Sequence, residues 1–195
     1  MSCPALKDNL LPLTRQQCYD DLLACAIDSP NARWLAQILA SWQVGEGVLP
    51  RGLGLCDREF NALMAHYFPG CRLSPITPHG KTLDFSRMLE KQDLEKYLGY
   101  FASPPAPERG WVIGLIVAAC LGSDHLWQDM GLFSRSELSA LLQHNFPGLA
   151  AKNTKDMKWK KFIYKQLCEA EGLYVCRAPS CEVCKDYSVC FGAEE

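Results

Sequence analysis

Cys176, Cys181, Cys184 and Cys190 stand in the spacing C-x4-C-x2-C-x5-C within the segment CRAPSCEVCKDYSVC. Four thiols this close in sequence read as metal ligands. A loop so short builds no hydrophobic core, and a thiolate-bound metal centre offsets the entropy of ordering its backbone. Zinc and iron-sulfur chemistry both accept four thiolates. Structural zinc sites bring together two C-x2-C knuckles around an ion that draws its sulfurs in to about 2.3 Å. Here a single C-x2-C pair is flanked by lone cysteines. Ligands spread in this way suit a cuboidal iron-sulfur cluster, of the 3Fe-4S or 4Fe-4S type, whose separate irons each take one thiolate. Zinc is the alternative, and a disulfide network is disfavoured.

The elements that must position such a loop read as helices throughout, with no hairpin pattern of alternating residues. The chain has 195 residues, 48% of them apolar, enough for a sizeable core. Thr14 followed by Gln17 is a capping box for a helix reaching about Ile27, and Ser29-Pro30 starts a second reaching about Trp42. Asp57 is expected to cap a third that ends at Pro69-Gly70. A loop rich in Pro and Gly, with His79 inside it, precedes a fourth helix expected over 84–101. A Pro-rich linker at 103–107 follows.

Residues 33–70 laid over 110–148 with a one-residue gap reveal a weak internal repeat. Trp34 meets Trp111, Gly45 meets Gly122 and Gly54-Leu55 meets Gly131-Leu132; Glu59, Ala62, Leu63, His66 and Phe68-Pro69-Gly70 meet Glu137, Ala140, Leu141, His144 and Phe146-Pro147-Gly148. The expected architecture is therefore an all-α single domain built from a duplicated unit. Its helical body covers 1–172, with halves at about 14–71 and 108–150 and a final helix at about 154–170, and the metal-cluster loop covers 173–195. Asn153 or Thr154 is expected to cap the final helix, with Asp156 in its first turn and Trp159, Phe162, Ile163, Leu167 and Ala170 on its apolar face. Lys152, Lys155, Lys158, Lys160 and Lys161 crowd its start and Lys165 follows. They form a solvated polar face or, in a functional reading, an anion-attracting or docking patch carried by Lys155, Lys158, Lys160 and Lys161.

The seven cysteines outside the loop (Cys3, Cys18, Cys25, Cys56, Cys71, Cys120 and Cys168) show no disulfide framework. They read mostly as small buried hydrophobes in a reducing cytoplasm. The net charge of -2 exerts no overall pull toward nucleic acid or anionic lipid. The opening MSCPALKDNLLPL has no basic start with an apolar run, and the apolar stretch 111–121 is about half of what spans a bilayer. Neither secretion nor membrane insertion is expected.

The run Asp156-Met157-Lys158-Trp159-Lys160-Lys161-Phe162, the following Gln166-Leu167-Cys168-Glu169, the cysteine loop with Ala178-Pro179 inside it and the ending Cys190-Phe191-Gly192 closely resemble the NifQ family of molybdenum-donor proteins of nitrogen fixation. The resemblance extends through the run from His125 to Leu132 and through Arg135-Ser136-Glu137-Leu138-Ser139. It implies a non-catalytic carrier whose iron-sulfur cluster takes up molybdenum as a Mo-Fe-S centre. The implied metal source is molybdate, and the implied recipients are the nitrogenase cofactor-assembly scaffold and the nitrogenase iron protein.

A donor must leave one cluster corner exchangeable, through a cysteine that lets go or a weaker ligand. Candidates for that ligand are His125, then Cys168, then His144. For His144, and for its repeat partner His66, a structural role at a helix C-terminus competes with ligation. Two other classes fit the cysteine loop: an iron-sulfur electron-transfer protein, and a helical DNA glycosylase with a terminal cluster. The glycosylase reading is weakened because Leu49-Pro50-Arg51-Gly52-Leu53-Gly54 only distorts the expected phosphate-gripping hairpin.

Overall fold

The computed structural model describes residues 14–71 and 82–170, and all regular structure among them is helical. Local spacing explains most of the starts. Thr14 caps α1 (Arg15–Cys25) by accepting from the Gln17 amide while the Gln17 side chain returns to the Thr14 N–H, and Pro30 opens α2 (Pro30–Gln43). Two expectations need correction. α3 (Asp57–Tyr67) is capped by Cys56, not Asp57: the Glu59 carboxylate accepts from the Cys56 N–H at 3.1 Å. The single helix expected over 84–101 is broken into a short 3-10 turn, Phe85–Arg87, and α4 (Lys91–Phe101). Its cause is Asp84, whose Oδ1 accepts from the Ser86 amide at 3.0 Å and the Ser86 hydroxyl at 2.6 Å. Side-chain bonding of this kind competes with the helical ladder.

α5 (Glu108–Cys120) is apolar nearly all round and buried along most of its length, so it forms the centre of the core together with α2. α1 packs on α2, α4 and α6 (Leu126–Met130) pack on α5, and α7 (Arg135–Asn145) packs on α2. A short α8 (Pro147–Ala150) follows α7, and α9 (Trp159–Ala170) lies against α4. No helix among the described residues is long and apolar enough to cross a membrane.

Residues paired by the repeat meet crosswise. The Trp34 ring lies 5.6 Å from His144, and the Trp111 ring 5.7 Å from His66. Gly131 sits against Ser41, and Gly54 against Ala118. Phe68 and Phe146 close α3 and α7 with nearly the same backbone (φ −133°, ψ 60° and φ −137°, ψ 57°).

A buried polar chain links α2 and α3 to α7 and α5. Asn31 and Asn145 exchange amide hydrogen bonds at 3.0 and 2.8 Å, and the Tyr67 hydroxyl donates to Glu108 at 2.6 Å. Burial, reinforced by Glu108, holds the Tyr67 phenol well above its ordinary range. Replacing Asn145 by Ala leaves the Asn31 amide without its reciprocal partner inside the core. The expected loss is about 1–3 kcal/mol in chemical denaturation, and a loss no larger than that of an exposed surface alanine would contradict it.

Candidate metal centre and its helical support

Cys176, Cys181, Cys184 and Cys190 lie outside the described residues, as do Cys3 and His79. The described chain carries the support that leads into them, and that support begins with α9. Its buried stripe is Trp159, Phe162, Ile163, Tyr164, Leu167 and Cys168, while Ala170 is exposed. Trp159 also donates its indole N–H to the Ser139 hydroxyl at 2.8 Å, pinning the first turn to α7.

The helix starts five residues later than Thr154. Asn153 clasps Met157 in both directions: its Oδ1 accepts from the Met157 N–H at 2.8 Å and its Nδ2 donates to the Met157 carbonyl at 3.0 Å. Asp156 adopts a left-handed backbone (φ 50°), which no α-helix tolerates in its interior. Its carboxylate accepts two bonds from Arg135, at 2.9 and 2.7 Å, and Arg135 also reaches the Asp156 and Met157 carbonyls. Asp156 therefore ties the approach segment to α7; it does not serve the first turn of α9.

Lys160, counted from the sequence with an anion-attracting patch, points inward. Its ammonium donates to the Gly122 and Asp124 carbonyls, both at 2.9 Å, and to Asp129 Oδ2 at 2.5 Å. An ammonium has three protons, and all three are used. The Asp129 side chain is 1% exposed and that of Lys160 13%. Burial raises the Asp129 carboxyl above its ordinary value even though Lys160 opposes that shift. Asp129 was not singled out from the sequence. A lone acid in the run Leu126-Trp127-Gln128-Asp129-Met130, where three of the other four residues are large and apolar, was the available signal. The other patch members, Lys155, Lys158 and Lys161, are exposed or half-buried around the start of α9.

The three candidates for the weak ligand are set apart. His125 is the exposed N-cap of α6, its backbone N–H donating to Gln128 Oε1 at 3.2 Å and its carbonyl accepting from the Gln128 N–H at 2.9 Å. Its loop is held by the Lys160 bonds to Gly122 and Asp124. Cys168 is buried on α9, eight residues beyond Lys160, about 12 Å along a helix. His144 is exposed in the last turn of α7, against Trp34. Among the described residues no group of three or more His, Cys, Asp and Glu side chains is arranged to hold a metal ion.

The remaining described cysteines divide. Cys18 and Cys120 are core residues, with burial pushing the Cys120 thiol up to about 12. Cys25 and Cys71 are partly buried, and Cys56 is an exposed helix cap, contrary to the expectation of a buried hydrophobe.

A sequence-family model described as NifQ matches residues 34–192, which take in most of the helical body and all four loop cysteines. Protein NifQ of Azotobacter vinelandii is 42% identical over 185 residues, covering 90% of this chain and 95% of its own length. Protein NifQ of Klebsiella pneumoniae is 35% identical over 174 residues, covering 83% of this chain and 99% of its own. Protein NifQ of Rhodobacter capsulatus is 34% identical over 163 residues, with coverages of 82% and 87%. No solved structure matches the chain.

Proposed function

Because the chain belongs to the NifQ family, we propose that it carries molybdenum as a Mo-Fe-S cluster and donates it for assembly of the nitrogenase iron-molybdenum cofactor. The observation that carries this reading is the extent of the match: residues 34–192 contain the complete C-x4-C-x2-C-x5-C motif at the end of a helical body. The donor set fits, since four soft thiolates suit iron-sulfur chemistry and leave no role for a hard oxygen-ligated ion. Cys176, Cys181, Cys184 and Cys190 would hold the iron, and molybdenum is the cargo. The protein is a carrier in the cytoplasm, not an enzyme. It takes metal that originates as molybdate and passes it to the cofactor scaffold and the nitrogenase iron protein. His125 is the favoured weak ligand, ahead of Cys168 and His144; its side chain is exposed at the start of α6. The crosswise contacts of Trp34 with His144 and of Trp111 with His66 support reading the body as a duplicated unit.

Anaerobic purification from molybdate-fed, nitrogen-fixing cells tests this reading, with iron, sulfide and molybdenum analysis and EPR on the native protein and on Cys→Ala variants at the four loop positions. Iron, sulfide and molybdenum together, lost in the variants, are expected. Stoichiometric zinc without iron overturns the cluster. Iron and sulfide without molybdenum, inert to chelators, overturn the donor role and favour electron transfer.

A further inference from the structure

The C-terminal ends of α1 and α3 lie together. Ile27, two residues past α1, donates its backbone N–H to the carbonyl of Tyr67, the last residue of α3, at 2.9 Å. Cys25 is the final residue of α1, and its thiol donates to the Asp21 carbonyl one turn back at 3.6 Å. Beyond α3 the chain turns through Gly70, at φ 79°, and the Cys71 N–H closes that turn on the Phe68 carbonyl at 3.1 Å. Cys71 is thereby set against the edge of the core, where its thiol makes a hydrogen bond to that of Cys25. Two thiols 46 residues apart in sequence thus meet at a junction held by backbone bonds. Both are partly buried and within reach of a small reagent, whereas Cys18 and Cys120 are core residues. Cys56, at the other end of α3, stands about 16 Å away along the helix.

From this juxtaposition we propose that Cys25 and Cys71 form a thiol–disulfide exchange site, which closes to an intramolecular disulfide on reaction with a low-molecular-weight disulfide such as glutathione disulfide. Cys25 attacks first. Burial, then the hydrogen bond and charge of Cys25, push the Cys71 thiol up to about 11, so it stays protonated at neutral pH. The Cys25 thiolate attacks one sulfur of the reagent, the reagent's S–S bond breaks, and one glutathione leaves, taking up the proton that Cys25 released. In the mixed disulfide Cys25 carries no charge that could hold Cys71 protonated. Cys71 then gives up its proton, attacks the Cys25 sulfur and displaces the second glutathione, which takes up that proton. Two protein thiols are oxidised by two electrons in all, and one small disulfide is reduced to two thiols. The new bond staples the ends of α1 and α3, and excess small thiol reverses it. The site uses none of the four loop cysteines and does not rest on the donor reading.

Mass spectrometry tests the proposal on full-length protein incubated anaerobically with glutathione disulfide, alkylated at its remaining thiols and digested with trypsin without reduction. Peptide 16–33, which holds Cys18 and Cys25, should appear joined to peptide 59–72, which holds Cys71. That link should outnumber glutathione adducts at Cys71 by about tenfold or more, because a neighbouring thiol acts at a high effective concentration. It should vanish on treatment with dithiothreitol. Cys71→Ser should halt the reaction at the mixed disulfide on Cys25, Cys25→Ser should abolish the link, and Cys18→Ala should keep it. A chain with all four loop cysteines replaced by alanine should form the link equally well, so failure of the cluster reading leaves this one standing. Glutathione adducts or alkylation at Cys25 and Cys71 without the link overturn the proposal. So does a link that survives Cys25→Ser, or one formed equally well by the urea-unfolded chain, since the fold then plays no part in the pairing.

Discussion

Replacing Lys160 with methionine is expected to cost about 3–5 kcal/mol of folding stability, because it leaves the Asp129 carboxylate buried and unpaired. Methionine keeps most of the aliphatic length, so the loss isolates the ammonium. Three acceptors lose their donor together: Asp129 and the carbonyls of Gly122 and Asp124. Lys161→Met, one residue along and outside this network, should stay within about 0.5 kcal/mol of the native protein. The pH dependence provides a second readout. The folded Asp129 already titrates above its unfolded value, and removing Lys160 raises it further. Between those two values the folded state binds the extra proton. The variant's deficit should therefore be full above the folded pKa and shrink as pH falls toward the unfolded carboxylate range near about 4. Adding Asp129→Asn to the variant should recover part of the loss at neutral pH. Urea titrations of Lys160→Met and Lys161→Met at pH 8 and pH 5 measure all of this. Equal deficits in the two variants, or a Lys160→Met deficit that does not change with pH, would contradict the buried-pair account.

The second large effect is expected at Gly131, where alanine should cost about 3 kcal/mol. Gly131 ends α6 with φ 81°, a left-handed conformation, and a Cβ there would come within 2.8 Å of the Ser41 Cβ. The approach is held by a hydrogen bond, since the Ser41 hydroxyl donates to the Gly131 carbonyl at 2.6 Å deep in the core. The Ser41 Cβ is fixed to its backbone and is no flexible side-chain tip, so α2 and α6 would have to separate. Gly110 is the internal contrast. It lies exposed in the first turns of α5, and a Cβ added there would meet nothing within 4 Å. Gly110→Ala should therefore stabilise by up to about 1 kcal/mol through helix propensity. Thermal unfolding of both variants distinguishes a position requirement from a general tolerance of alanine. A Gly131→Ala loss under about 1 kcal/mol would show that the two helices yield.

Helix ends set by a neighbour in the chain were legible from the sequence. The Thr14–Gln17 box, Pro30 and the Phe-Pro-Gly endings all act over three or four residues, so spacing alone reveals them. The errors have two causes. Asp84 bonds Ser86, two residues on, a local competition with the helical ladder, whereas Asp156 is drawn across to Arg135, 21 residues away. Lys160 sits in a run of lysines that reads as solvent-facing, and only the tertiary position of Asp129, 31 residues distant, turns it inward. Local pattern cannot show a partner supplied by folding. The four loop cysteines lie outside the described residues, and the reading of them as ligands rests on donor type and spacing alone.

The polar fixings at the base of α9 differ in kind from the apolar stripe along its length. Oily contacts resist lifting the helix away but discriminate weakly among small slides and rolls, since they are non-directional. Hydrogen bonds from Lys160, from Trp159 and in the Asn153–Met157 clasp are directional, and they index the helix as a key indexes a shaft. The chain leaves from the opposite end, about 18 Å away for 12 residues. A tilt of a few degrees at the keyed end becomes a displacement at the far end, so where the chain leaves α9 depends on bonds made a full helix length away. Two chains alike in every residue of the apolar stripe can thus differ in where that helix delivers the backbone, according to how firmly their shafts are keyed.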